Sequence, residues 1–298
     1  MSDHPIDPEP TTVHQPVGPR WVGPALVLGS AVMFSFSGVL TKAIDAGSWT
    51  VLAWRGLVGA IGIAAYVRVR GRGRSSREVF RLGSGGWILA VVGGVGSITF
   101  IVAFKHTFVA NVSVIYATIP FVAALLERLI LGALVPRRTL TTAAVTLVGV
   151  AIIVSGSLGS ANLTGDAVAI AMVVLNALYM VLIRAFPDTD APLAAAASSL
   201  LLFGAGWIAS DPLDVETDDV ILLLAFGLVF ALATVLWTEG TRLIPAAESG
   251  LLGSAETPIA IGLAWVLLRE TPPLVSLVGA MVVGAAIAVH LRADLRRG

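Results

Sequence analysis

Asn111-Val-Ser-Val-Ile-Tyr-Ala-Thr118-Ile-Pro120 and Ser249-Gly-Leu-Leu-Gly-Ser-Ala-Glu256-Thr-Pro258 are the two stretches on which the fold turns. Each lies in an apolar run long enough to cross a ~30 Å hydrocarbon core as a helix. Each places two polar residues seven apart, hence on one helix face, with a proline two residues after the second. A proline has no N–H, so Pro120 and Pro258 free the carbonyls of Tyr116 and Ser254, four residues earlier. Two kinked, polar-faced membrane segments at matching places suit two copies of one unit with a polar site between them.

The rest of the chain agrees. Of its 298 residues 56% are hydrophobic and only 13% charged, and the mean hydropathy is +0.90. A soluble globular enzyme carries roughly 25% charged residues, so that class is excluded. There are 19 basic and 19 acidic residues, which removes any bulk electrostatic case for nucleic acid. There is no cysteine, hence no disulfide framework and no thiolate chemistry. Walker A, GxGxxG, GxSxG and HExxH patterns do not occur, so no cofactor is expected.

The fold class expected is an all-α membrane protein of ten transmembrane helices: Trp21 to Ala43, Trp49 to Val67, Gly86 to Phe104, Phe108 to Leu131, Leu140 to Ser155, Gly165 to Ile183, Ala191 to Ala209, Val220 to Trp237, Ala246 to Leu268 and Leu274 to Leu291. Residues 1–19, with five prolines and no apolar run, read as a disordered tail. Lys and Arg collect near the cytoplasmic ends of spans. With both termini inside, fourteen arginines fall on the inner side, six of them between Arg68 and Arg81, against Lys105 and Arg269 outside. The expected topology is therefore N-in and C-in, with 1–19 and 292–298 as cytoplasmic tails.

The chain also matches itself weakly. Gly23, Val39, Leu40, Lys42 and Ala43 meet Gly165, Val181, Leu182, Arg184 and Ala185 at an offset of 142, Pro120 meets Pro258, and Leu147-Val-Gly149 meets Leu277-Val-Gly279. Two five-helix repeats, 20–156 and 160–291, follow. Five is odd, so the second enters the membrane in the opposite sense and the repeats are inverted.

Polar groups in the hydrocarbon need a partner, a water-filled cavity or a role. Glu256, near the middle of its span, is the sharpest candidate: it can carry a proton, contact a cationic or amine substrate, or serve as a hydrogen-bonded or salt-bridged acid between helices. Asn111, Tyr116, Thr118 and Ser249 join it as substrate-binding or coupling candidates, with Asn176 and Tyr179, three apart on one face of span six. Glu127 falls on the Tyr116 face and is a candidate inner gate. Lys42 and Arg55, near the outer ends of their spans, either snorkel or serve an outer gate or an anionic substrate. Trp54, Trp237 and Trp265 can stack on a substrate, although an aromatic belt explains Trp237 equally well. Pro120 and Pro258 are the kinks, and Gly93, Gly94, Gly96, Gly250, Gly253 and Gly262 let helices approach closely. His106 has no second ligand at metal spacing, and Asn162-Leu-Thr164 is a sequon on the expected outer side.

Several stretches resemble a known family. Arg242-Leu-Ile-Pro-Ala-Ala-Glu-Ser-Gly-Leu-Leu-Gly-Ser-Ala-Glu256-Thr-Pro258, continuing to Trp265 and Leu268-Arg-Glu270-Thr-Pro272, is similar to the EamA branch of the drug/metabolite transporter superfamily. Thr107-Phe-Val-Ala-Asn111, Ile119-Pro120, Gly132 and Pro136-Arg-Arg-Thr139 match it in the first repeat, as do Lys42 and Arg55. The chain departs from the pattern at Gly132-Ala133, where Gly-Glu is usual, and at Phe34-Ser-Phe-Ser-Gly38, where Trp-Gly is frequent. The resemblance implies two five-helix repeats and secondary transport, export more often than uptake.

The expected function is thus alternating-access transport of a small polar or amphipathic metabolite across the plasma membrane, driven by the substrate gradient or by protons through Glu256. The expected partners are a small-molecule substrate, the lipid bilayer and protons, with no nucleic acid. A rival enzyme needs convergent catalytic groups at one depth, which Glu256 and Glu127 do not supply. A rival scaffold or sensor would use the arginine loop, residues 68–81, for docking.

Overall fold

The computed structural model describes residues 19, 21–73, 75–106, 112, 115–155, 163–269 and 274–295. Among these there is no strand, and twelve helical segments follow in order: α1 Val22–Ala43, α2 Ser48–Arg70, α3 Ser76–Val79, α4 Ser84–His106, α5 Ile119–Leu131, α6 Arg137–Val154, α7 Leu163–Ala185, α8 Ala191–Ala209, α9 Thr217–Thr241, α10 Ala246–Gly253, α11 Glu256–Leu268 and α12 Leu274–Leu295. Among the described residues six stretches are long and apolar enough to cross a membrane: Ser48–Arg70, Thr164–Ala185, Ala191–Ala209, Asp219–Thr241, Ala246–Leu267 and Leu274–Ala293. Val22–Ser37 and Ser84–Phe100 are shorter apolar helical stretches.

Local chemistry sets the helix ends. Asp190 caps α8 by accepting the Leu193 N–H at 3.1 Å, with Pro192 in the first turn where its missing donor does no harm. Gly132 ends α5 at φ +66, and its N–H reaches the Arg128 carbonyl.

Two expected spans, read as helices kinked at their prolines, carry a break. The fourth and ninth, read as single helices, are each broken just ahead of their prolines, at Ala117–Thr118 and at Ser254–Ala255. With no N–H at Pro258, the freed Ser254 carbonyl accepts instead from Thr257 N, one residue closer, at 3.3 Å. Thr118 N bonds the Ile115 carbonyl and Phe121 N the Thr118 carbonyl in the same tightened manner, both at 3.0 Å.

The helix contacts have an exchange symmetry. Numbered by order in each half, α1 corresponds to α7, α2 to α8, α4 to α9, the segment through Tyr116 and α5 to α10 and α11, and α6 to α12. Helix α1 packs on α9 and α7 on α4; α2 packs on α9 and α8 on α4; α1 packs on α10 and α11, and α7 on α5. The remaining major contacts join counterparts directly: α2 to α8, α6 to α12 and α5 to α10. Swapping the halves therefore returns the same set of major contacts.

Those counterparts run antiparallel. In α2 and α8, Gly56 lies against Ser199 and Phe203 while Gly206 lies against Trp49 and Ala53. In α6 and α12, Thr142 Oγ1 is 3.4 Å from His290 Nδ1 at one end, and Ser276 Oγ donates to the Ile153 carbonyl at 3.3 Å at the other. Between them Gly149 and Gly279, matched in the sequence repeat, touch each other: a Cβ on Gly279 would sit 2.6 Å from the Gly149 carbonyl oxygen. Only glycine permits that approach. Of the other glycines read as packing sites, Gly93, Gly94 and Gly253 have side chains within 3.0 Å of an added Cβ, whereas Gly262 has nothing within 4 Å.

Candidate functional site

A cavity of about 210 Å³ lies between the two halves. Its walls come from α1, α2, α4, α7, α8 and α9 together with the broken segments around Tyr116 and Glu256. The break before Pro258 puts Glu256 at the start of α11 instead of inside a continuous helix. Its backbone carbonyl accepts from Ser35 Oγ at 3.3 Å, and its carboxyl makes no hydrogen bond or ion pair among the described residues.

Of the expected site residues, Glu256, Tyr116, Asn176, Tyr179 and Arg55 all line this cavity. Tyr116 is held edge-on to Phe100, ring centroids 6.1 Å apart. Asn176 Nδ2 donates to the Met172 carbonyl at 2.9 Å, one turn back in α7. Arg55 does not snorkel: its guanidinium lies over the Phe230 ring, 4.7 Å from the centroid, and 5.8 Å from that of Phe226. Its Nε is buried with no hydrogen-bond partner.

Other candidates stand apart. Thr118 Oγ1 donates to the Ile115 carbonyl at 2.6 Å and caps the break, outside the cavity wall. Ser249 is fully buried in α10 and does not line it. Pro120 packs against Gly250. Trp237 does line the cavity, while Trp54 donates to the Pro212 carbonyl and Trp265 is half exposed. Asn111, Asn162, Glu270 and the Lys42 side chain lie outside the described residues.

Glu127 is buried away from the cavity, where it pairs with Arg184 and accepts the Ala246 N–H at 3.4 Å. The pair joins α5, α7 and the start of α10. Nearby, buried His290 Nε2 is 3.7 Å from Glu248 Oε1.

Some of this escaped the sequence reading. Arg184, counted there as a loop cation, is the partner of Glu127; the clue was a lone acid in span four that needs a cation at its own depth. Arg70, also counted as a loop cation, pairs with both Glu239 and Asp190 and ties α2 to α9 and to the cap of α8. Ser30, Ser198 and Ser199 line the cavity too, and nothing in their spacing separated them from ordinary helix serines.

No curated protein sequence matches the chain. A chain of known crystal structure, described only as a protein, superposes with a TM-score of 0.80 at 17% identity, the match covering 92% of this chain and 99% of that one. At that identity the likeness speaks for the fold alone. Matched over residues 21–155 and again over 163–292, the chain belongs to the EamA-like transporter family.

Proposed function

We propose that the chain is a secondary transporter of the drug/metabolite type that exports a small metabolite across the plasma membrane by alternating access. The observation that carries this reading is the unpartnered Glu256 carboxyl at a helix break, in a cavity walled by both halves. A carboxyl so placed can take up a proton or a cationic group from either side, as the halves exchange which one closes.

Ten crossings in two repeats, 20–156 and 160–291, with both termini cytoplasmic, suit the loops. Arg70 at the end of α2 with Arg72 and Arg81 beyond it, the stretch Ala185–Asp190 from the end of α7 and Arg242 after α9 all border one opening of about 910 Å³. These are three of the loops assigned to the inner side by charge. At the other end Asp45 N bonds Asp219 Oδ1 at 3.4 Å and Thr50 Oγ1 bonds Ser210 Oγ at 3.3 Å, which joins two loops assigned to the outer side. The Glu127–Arg184 pair, at the arginine-rich end, then serves as the inner closure.

The test uses proteoliposomes. A ligand is first found by thermal shift, since whatever binds the folded state raises its melting temperature. Counterflow of that labelled ligand must occur, and its absence ends the transport reading. Glu256→Gln should fold normally and make flux insensitive to pH. A folded Glu256→Gln protein that keeps the wild-type pH dependence would falsify the proton role.

A further inference from the structure

The cavity holds two opposite charges that leave each other alone. Arg55 enters from α2 and Glu256 from the break before Pro258, and among the described residues neither side chain makes an ion pair or a hydrogen bond. A guanidinium and a carboxylate sharing an apolar chamber would ordinarily pair, because each is costly when desolvated alone. Here Arg55 is held back by its stacking over Phe230 and Phe226. Glu256 is held by a backbone whose carbonyl is bonded to Ser35.

Several of the other polar groups are spent, while Thr234 Oγ1 on the same wall is buried with no hydrogen-bond partner. Ser30 donates to the Val27 carbonyl, Ser198 to Ala90, Ser199 to Ala195, and Asn176 to Met172. Much of the remaining wall is ring, including Phe34, Phe100, Tyr179 and Trp237. At about 210 Å³ the chamber suits a substrate of modest size.

From this juxtaposition we infer that the substrate is a zwitterion: an anionic group received by Arg55, a cationic group received by Glu256, and an apolar body between them against the aromatic walls. A singly charged molecule satisfies one of the two protein charges and leaves the other stranded. A zwitterion satisfies both and adds no net charge to the chamber. The inference rests on the transport reading of the same cavity and makes Arg55 the residue that selects for the anionic group.

Binding, measured without flux, tests it separately from transport. Purified full-length protein is titrated, with melting temperature or heat as the readout, against two matched sets of probes. One is para-(aminomethyl)benzoate, para-methylbenzylamine and para-methylbenzoate; the other is phenylalanine, phenethylamine and phenylpropionate. In at least one set the zwitterion should bind about tenfold or more tighter than either singly charged analogue. Arg55→Gln should erase the preference over the amine and keep the preference over the acid. Glu256→Gln should do the reverse, and Arg55→Lys should keep the wild-type order. The inference is overturned if a singly charged probe equals its zwitterion on the wild type, if neither set binds, or if folded variants leave the preferences unchanged. Counterflow with any other stabilising ligand would still uphold transport.

Discussion

The arginine-rich end and the centre of the molecule use the same two functional groups in opposite ways. At the end, Glu127 and Arg184 are paired, Glu127 also accepts the Ala246 N–H, and Arg70 is shared between Glu239 and Asp190. In the centre, Glu256 and Arg55 face a cavity with their charges unmatched. A charge with a partner holds helices together, and a charge without one on a cavity wall asks for water, a proton or a ligand. Residue type alone says nothing of which case applies; the neighbours decide it.

The largest effect on stability should come from stranding a buried partner. Arg184→Ala leaves the Glu127 carboxylate uncompensated and should cost about 3–5 kcal/mol, read by unfolding in detergent. The Glu127→Gln, Arg184→Gln double variant should recover most of it, and a harmless Arg184→Ala would break the contrast between the two regions. Next comes Gly279→Val, whose side chain would meet the Gly149 carbonyl at 2.6 Å and Ile153 N at 2.8 Å. Overpacking of that kind costs about 1–3 kcal/mol, so the melting temperature should drop by less than for Arg184→Ala. Arg70→Gln should matter less again, ~0–1 kcal/mol, because the Arg70 side chain is 36% exposed and water screens its pairs. Glu256→Gln should not lower stability at all, since it removes no partner. A marked fall in its melting temperature would move Glu256 to the structural side of the comparison.

Much of the architecture was legible. The apolar run Ala191 to Ala209 becomes α8 with the same bounds, and Leu274 begins α12 as expected. Run length and proline chemistry are local properties, so they survive without knowledge of the fold. The Gly149 and Gly279 match was visible as well, although not that the two residues would meet. Arg55 was harder. In a soluble helix the apolar stripe reveals the inward face, but lipid and protein interior are both apolar, so the rotation of α2 is barely encoded in its pattern. Only its neighbours Phe226 and Phe230, some 170 residues away in sequence, show that Arg55 points inward. The Glu127–Arg184 and Arg70–Glu239 pairs were hidden for the same reason: each joins helices distant in the chain. The broken helices were half visible, since the prolines announce a kink but the two-residue turns depend on local rebonding, such as that of the freed Ser254 carbonyl to Thr257 N.

The Gly149–Gly279 contact carries a consequence of its own. A point where a thing touches its own counterpart maps onto itself when the counterparts trade roles. The α2–α8 and α5–α10 contacts join counterparts in the same way, so the three together mark the line about which one half corresponds to the other.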